Sequence, residues 1–257
     1  MGAIEGLTEF LPVSSTGHLI VAEEYIKFKD SARIFTIVIQ LGAISAVIWH
    51  YRVDLSRKVV DFFRGKAYAK RFWLNLFVAT LPGGILGLLL STSLEEYAQP
   101  ALVATMLILG AFVLLWVDKI RPVQKNQKIE LEKIQLRQAV FIGLAQAAAL
   151  FPGVSRSGAS IVGGVLSGLN RVSATAFSFY LAIPILAVAG AYKLFSSGGD
   201  VSTVDGGWGS IIAGSVTSFI VALIAISWLL KYVSNHGFKI FAVYRILLGI
   251  VILVTLV

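Results

Sequence analysis

Long apolar runs that carry almost no charge restrict this chain to a fold inside a membrane. Each run has about the 20 residues that a helix needs to cross the hydrocarbon core of a bilayer. The runs do not alternate polar and apolar residues, as the strands of a membrane barrel would. Only 14% of the residues are charged, against about 25% in a soluble domain. We therefore predict an all-α integral membrane protein with six transmembrane helices, at about 33–51, 73–93, 101–118, 174–195, 208–230 and 240–257.

The basic residues predict how these helices are oriented. Most of the 22 Lys and Arg residues lie in two segments, 52–72 and 119–137, and such segments face the cytoplasm. The loops at 94–100 and 196–207 contain no Lys or Arg, so we expect them on the outer side. This clustering also explains the net charge of +8 without a nucleic-acid partner, so we expect none.

A duplicated segment divides the chain into two halves. Residues 5–18 align without a gap with residues 146–159, at an offset of 141. Three predicted spans follow each copy, and an odd number of spans gives the two halves opposite orientations. We therefore predict an inverted-topology repeat within one membrane domain, 1–257. Its parts are repeat one (1–118), a basic cytoplasmic linker (119–136) and repeat two (137–257).

Proline interrupts the duplicated segment in both repeats. We interpret residues 4–25 and 137–170 as two re-entrant helical hairpins that enter the membrane from opposite sides. Irregular backbone at that depth is tolerated only against protein or a water-filled cavity, so the hairpin tips are expected to meet near the midplane. The alternative is that these stretches are ordinary kinked spans or surface helices.

Outside loops and span ends, the ionisable residues that we single out are Glu5, Glu9, His18 and Arg156. A charge at the centre of a membrane helix costs about 2.5–3.5 kcal/mol, so this group predicts a polar cavity with a function. Glu5 and Glu9 are four residues apart and share a helical face. Two adjacent carboxylates predict a divalent-metal site or an acid/base pair. The alternative for Glu5 is a place at the wet edge of the membrane.

Both copies place hydroxyls where a helix begins after the proline. Ser14, Ser15 and Thr16 follow Pro12, and Ser155 and Ser157 follow Pro152. Helix N-termini bind anions through free N–H groups, although N-capping by at least one serine in each copy is also expected.

Two charged or titratable side chains extend this pattern. Arg156 offers a planar fork for phosphate oxygens, or a structural pair with a glutamate. His18 is a candidate nucleophile, general base or proton donor, or a structural hydrogen-bonding residue. Together with the glutamates and hydroxyls, these residues predict phosphoryl transfer in a membrane cavity.

At these residues the sequence resembles the undecaprenyl-diphosphate phosphatase family, also called the bacitracin-resistance family. That family's first motif is a Glu-rich stretch that leads into Pro-Val-Ser-Ser-Thr-Gly-His, matched here by residues 5–18. Its second motif is Pro-Gly-x-Ser-Arg-Ser-x-x-Thr, matched from Pro152, with Ser160 in place of the last threonine. This replacement keeps the hydroxyl.

The resemblance implies hydrolysis of undecaprenyl diphosphate to undecaprenyl phosphate and inorganic phosphate, with Mg or Ca as a divalent cation. The reaction recycles the lipid carrier of bacterial cell-wall synthesis and confers bacitracin resistance. It implies the bacterial cytoplasmic membrane, with the active site open to the outer side, and it favours a homodimer. The implied roles are metal binding or acid/base chemistry for Glu5 and Glu9, nucleophile or its activator for Ser15 or His18, diphosphate binding for Arg156, and phosphate contacts from Ser14, Thr16, Ser155, Ser157 and Ser160. The resemblance leaves three candidates for the attacking group: serine, histidine and water.

A rival class uses the same architecture for transport. Inverted repeats with broken helices are common in transporters, so a transporter or flippase of a phosphorylated lipid or other anion is the alternative function. Type 2 phosphatidic acid phosphatases are set aside, because no downstream His and Asp of that class follow Ser155 and Arg156.

Overall fold

The computed structural model describes residues 1–28, 30, 33–96, 99–196 and 204–257. Within these ranges the chain is helical and has no strand, apart from an isolated bridge between Asp30 and Val204. The helices are α1 (Gly2–Thr8), α2 (Ser15–Ile26), α3 (Ile34–His50), α4 (Arg52–Phe63), α5 (Ala67–Glu96), α6 (Pro100–Ile120), α7 (Leu136–Ala147), α8 (Arg156–Leu166), α9 (Arg171–Ser196), α10 (Gly207–Val233) and α11 (Lys239–Thr255).

Several helices are long and apolar enough to cross a membrane. In the described part of the chain, α6, α9 and α10 meet this criterion, and α3 with α4 adds a fourth if the pair, bent by 72°, is one span. The fold is therefore that of a helical, multi-pass membrane protein. Of the other predicted spans, α5 has 30 residues and α11 has 17. The count of six spans stays a prediction.

The two halves pack reciprocally. Helix α1 of the first half packs on α10 of the second, and α7 of the second packs on α5 of the first. Glycines allow the close approach in both places: a Cβ on Gly6 would collide with the carbonyl oxygen of Ser218, and one on Gly143 would lie 2.6 Å from that of Ala79. Corresponding helices of the two repeats thus make corresponding contacts.

Both predicted breaks at proline are present as turns between helices. Residues 9–14 separate α1 from α2. Between α7 and α8 the chain makes a short 3-10 turn at Ala148–Leu150 and then an irregular stretch to Ser155. Both segments are therefore helix–turn–helix units, and their re-entrant course through a bilayer stays a prediction.

The basic segment 52–72 differs from the expected loop, because α4 occupies most of it. Asp54 accepts hydrogen bonds from Lys58, from Arg57 at 2.6 Å and from Tyr180 of α9. The first two bonds lie within α4, and the third, from Tyr180, anchors α4 to α9. The predicted outer loops at 94–100 and 196–207 fall partly outside the described residues.

Candidate active site

The two helix starts at the breaks have the same unusual backbone conformation. Ser14 precedes α2 with φ 69°, and Ser155 precedes α8 with φ 71°. Residues other than glycine adopt such angles at a cost of about 1–3 kcal/mol and do so most often at functional sites. The Ser155 hydroxyl accepts from the Gly158 N–H at 3.1 Å. Within the described chain Ser14 makes no such cap, so the expected capping is confirmed in repeat two and wrong in repeat one.

Glu9 joins the two repeats. Its Oε2 accepts a 2.5 Å hydrogen bond from the Ser15 hydroxyl, and its Oε1 accepts from Arg156 Nη2 at 3.2 Å and Nε at 3.4 Å. Both charged side chains are largely buried, 11% exposed for Arg156 and 6% for Glu9. The two breaks are therefore in contact, as predicted for the tips of the two hairpins. The bonds from Arg156 are long, so its guanidinium can turn to a phosphate without losing a short contact.

Arg245 of α11 forms hydrogen bonds to the same two breaks. It was not among the site residues predicted from the sequence. All five of its N–H donors reach backbone carbonyls, at 3.0–3.3 Å, and the side chain is 1% exposed. The acceptors are Pro12 in the first break, Gly153 and Val154 in the second, and Met106 and Leu107 of α6. The sequence signal that could have identified Arg245 is its charge near the start of the predicted apolar span 240–257.

A cavity of about 200 Å³ lies in front of this junction. Its polar lining contains six of the predicted site residues together with two glutamines: Glu9, Ser14, Ser15, Thr16, Ser155, Arg156, Gln40 and Gln146. Its remaining lining is apolar and includes Leu150, Phe151, Ile185 and Leu186. Gln146 is the repeat counterpart of Glu5 at the offset of 141, and neither glutamine was among the predicted site residues.

Glu5 lies one helical turn before Glu9 and is fully buried. Neither of its carboxylate oxygens has a hydrogen-bond partner among the described residues. An unpaired buried carboxylate is costly unless it is neutralised by a proton or a cation. The described residues contain no cluster of three acidic or His ligands, but Mg²⁺ is often bound by one or two carboxylates and completed by substrate phosphates. The pair of Glu5 and Glu9 fits that pattern.

Two predicted phosphate ligands lie behind the cavity rather than in its lining. The Ser157 hydroxyl donates to the Leu11 carbonyl at 2.8 Å, and that of Ser160 lies 2.6 Å from the Ser178 hydroxyl. Both side chains are buried. They join α8 to the first break and to α9, which is a supporting position.

His18 also lies outside the cavity lining. Its Nδ1 is 2.8 Å from the Ser14 carbonyl oxygen, which only accepts, so Nδ1 carries the proton. Its Nε2 is then the acceptor for the Tyr244 hydroxyl, at 2.7 Å, and the two rings stack. In this arrangement both ring nitrogens already have partners. Since His18 does not line the cavity either, the structure does not bring it to the site where a phosphate would lie.

The fold and the cavity define a class: a multi-pass helical membrane protein with a buried polar site where two broken helices meet. The sequence family described as bacitracin resistance protein BacA matches residues 1–251. The chain belongs to this family. A relative from Nitrosospira multiformis named undecaprenyl-diphosphatase is 47% identical, covering 99% of this chain and 92% of that protein. Relatives with the same name from Dechloromonas aromatica and Methylococcus capsulatus are 46% and 44% identical with the same coverage.

Proposed function

We propose that this protein hydrolyses undecaprenyl diphosphate to undecaprenyl phosphate and inorganic phosphate. The hydrolysis regenerates the lipid carrier for bacterial cell-wall synthesis and thereby confers resistance to bacitracin. The relatives that carry the name undecaprenyl-diphosphatase match almost the whole chain. The observation that carries the proposal in the structure is the contact of Glu9 with both Ser15 and Arg156 inside one cavity.

This contact supports an attack by serine. A nucleophilic hydroxyl is activated by an adjacent base within hydrogen-bond reach, and Glu9 is such a base for Ser15. As the Ser15 oxygen bonds to the terminal phosphorus, Glu9 accepts its proton and the bond from that phosphorus to the bridging oxygen breaks. Undecaprenyl phosphate leaves, and water then hydrolyses the phosphoserine to release phosphate. Arg156 holds the phosphate oxygens, where charge develops during transfer.

A divalent cation, Mg²⁺ or Ca²⁺, would be held by Glu5 and Glu9 together with the substrate phosphates. When bound, it would neutralise negative charge on the transferred phosphoryl group. Glu5→Gln removes a buried carboxylate whose two oxygens have no hydrogen-bond partner in the described chain. We expect this variant to lose cation-dependent stimulation of phosphate release in a chelator–readdition titration.

The proposed setting is the bacterial cytoplasmic membrane. The positive-inside pattern supports the orientation in which segments 52–72 and 119–137 face the cytoplasm. The family resemblance supports a cavity that opens to the outer side, where the diphosphate is presented. The reciprocal packing of α1 on α10 and of α7 on α5 supports the inverted repeat. Six spans, two re-entrant hairpins and a homodimer complete the proposed architecture.

The test is a phosphate-release assay on undecaprenyl diphosphate with purified wild type, Ser15→Ala, Glu9→Gln and His18→Ala. Loss of a catalytic group costs about 10²–10⁴-fold in rate, so we expect the first two variants to lose at least about 100-fold. Acid quenching should trap phosphoserine in the wild type. Full activity of Ser15→Ala would refute serine attack, and no phosphate release by the wild type would refute the function.

The transporter alternative is not carried further. The names of the relatives describe hydrolysis, and the serine–carboxylate contact supplies a base that simple binding of a phosphate does not need.

A further inference from the structure

Gly83 of α5 is a glycine that protein packing does not explain. Other helical glycines, such as Gly42 and Gly143, lie against the backbone of a neighbouring helix, so no side chain would fit there. A Cβ on Gly83 would meet only the side-chain nitrogen of Gln146, at an ordinary 3.5 Å. Glycine inside a helix costs about 0.8–1.0 kcal/mol relative to alanine. The space beside Gly83 is therefore available to a ligand.

That space is the apolar end of the cavity. Gly83 lines it together with Leu150, Phe151 and, from α9, Ile185 and Leu186. In both helices a proline directly precedes the lining residue, Pro82 in α5 and Pro184 in α9. Proline removes an intrahelical hydrogen bond and bends or loosens the helix. Two such positions beside one cavity favour an opening between α5 and α9.

The side chain of Gln146 marks where the two ends of the cavity meet. Gln146 is 97% buried (3% exposed). Its Oε1 has no hydrogen-bond partner within the described chain. The residue lines the same cavity as Glu9, Ser15 and Arg156, and its side-chain nitrogen lies 3.5 Å from where a Cβ on Gly83 would be. A buried amide oxygen left without a donor is costly, which indicates that a bound molecule or its water completes the site.

We infer that the first isoprene units of the substrate bind between Gly83 and Ile185 and that the polyprenyl chain leaves the cavity there, between α5 and α9, for the bilayer. This inference rests on the proposed function, because it takes its occupant from the substrate. The cavity of about 200 Å³ is smaller than the roughly 300–1,000 Å³ of pockets that enclose a drug-sized ligand. A long chain therefore has to leave it. Arg245 bonds to both breaks, which carry the polar lining. A polyprenyl chain is apolar, so its exit is assigned to the apolar end.

The first test fills this space. Gly83→Leu places a side chain in the cavity. Gly84→Leu makes the same change one residue later, where an added Cβ meets no described atom within 4 Å and the residue does not line the cavity. Since crowding one hydrophobic subsite typically changes specificity by at least about tenfold, we expect the KM for undecaprenyl diphosphate to rise at least about tenfold in Gly83→Leu. The Gly84→Leu variant should stay within about twofold of wild type, because the space beside Gly84 is open and lies outside the cavity lining.

The second test measures binding without turnover. The natural sequence has no cysteine, so Gly83→Cys and Gly84→Cys each introduce the only thiol. We expect undecaprenyl phosphate, which carries the same chain, to slow modification of the Gly83→Cys thiol by a maleimide. Inorganic phosphate should not slow it, and neither compound should change the rate for Gly84→Cys.

The outcomes separate this inference from the proposed function. Equal effects at the two positions, or protection of Gly83→Cys by inorganic phosphate alone, would overturn the chain exit. Protection by the lipid in a protein that releases no phosphate would support the exit and refute the phosphatase. Normal hydrolysis without protection by the lipid would support the phosphatase and refute the exit.

Discussion

At the scale of single residues, Glu9 has two distinct partners. One oxygen accepts from Ser15 in its own repeat, and the other accepts from Arg156 in the second repeat. The carboxylate is therefore oriented by a residue from each half, which is the preorganisation that a general base needs. The same two contacts bring the candidate nucleophile and the candidate phosphate ligand to one cavity.

Replacing Arg156 with lysine tests whether the planar fork matters beyond the charge. Lysine keeps the positive charge but cannot form bidentate bonds with a phosphate. A hydrogen bond to a charged group contributes about 1.5–3 kcal/mol, so we expect kcat/KM for undecaprenyl diphosphate to fall about 10- to 150-fold. Steady-state phosphate release measures this. A lysine variant with wild-type kcat/KM would show that Arg156 acts as a point charge only.

At the scale of elements, the two breaks depend on a helix far away in the sequence. Arg245 of α11 binds carbonyls on both breaks and on α6 through five hydrogen bonds. The carbonyls of Pro12, Gly153 and Val154 accept no backbone hydrogen bond among those of the described turns and loops, so each would otherwise need another donor. Arg245 thus acts as a positioning residue, because it fixes the relative placement of the two helix starts without lining the cavity.

Arg245→Lys should lower catalysis more than it lowers stability. Lysine has three donors against five, so at least two carbonyls lose their partner. We expect kcat to fall at least about tenfold, since a displacement of about 1 Å can cost about 100-fold, with a smaller change in KM. Kinetics on the folded fraction, isolated by size-exclusion chromatography, give the two values.

Arg171→Lys is the matched control. Arg171 is as buried, at 2% exposed, and binds Asp118 and the Pro122 carbonyl at the linker. It should lose thermal stability while the folded fraction keeps its kcat. Equal losses of kcat in both variants would contradict a positioning role for Arg245.

At the scale of the whole molecule, local sequence signals predicted much of the arrangement. The prolines predicted the two breaks, one between α1 and α2 and the other before Ser155. The ends of α3 and α11 lie within about two residues of the predicted spans. Hydropathy and turn chemistry are local, so a single sequence contains them. The repeat offset added the correspondence of Ser14 with Ser155, which share their backbone conformation.

The sequence could not show what depends on distant partners. Arg245 bonds to carbonyls that lie 91 to 233 residues away in the sequence. Every residue has a backbone carbonyl, so no sequence pattern marks the ones that Arg245 contacts. The turn of His18 toward Tyr244 and the anchoring of α4 by Tyr180 have the same cause. The position of Gln40 in the cavity lining is visible only in the packed structure. In the sequence, Gln40 is a single polar residue in an apolar span.

The orientation of the whole protein can be tested with its lack of cysteine. Gln99→Cys places a thiol in the predicted outer loop, and Lys125→Cys places one in the predicted cytoplasmic linker; both positions are exposed. We expect a membrane-impermeant maleimide to label the first variant in intact cells and the second only after permeabilisation. The opposite pattern would invert the proposed topology and place the cavity on the cytoplasmic side.

The central claim is that one active site forms where the two repeats meet, and a double-mutant cycle on Glu9 and Arg156 tests it most directly. Phosphate release from undecaprenyl diphosphate is measured for Glu9→Gln, Arg156→Gln and the double variant. Contacting residues are coupled by about 0.5–3 kcal/mol, and residues that act as a unit are strongly non-additive. We predict a double variant little slower than the slower single variant. Fold losses that multiply would contradict a shared site.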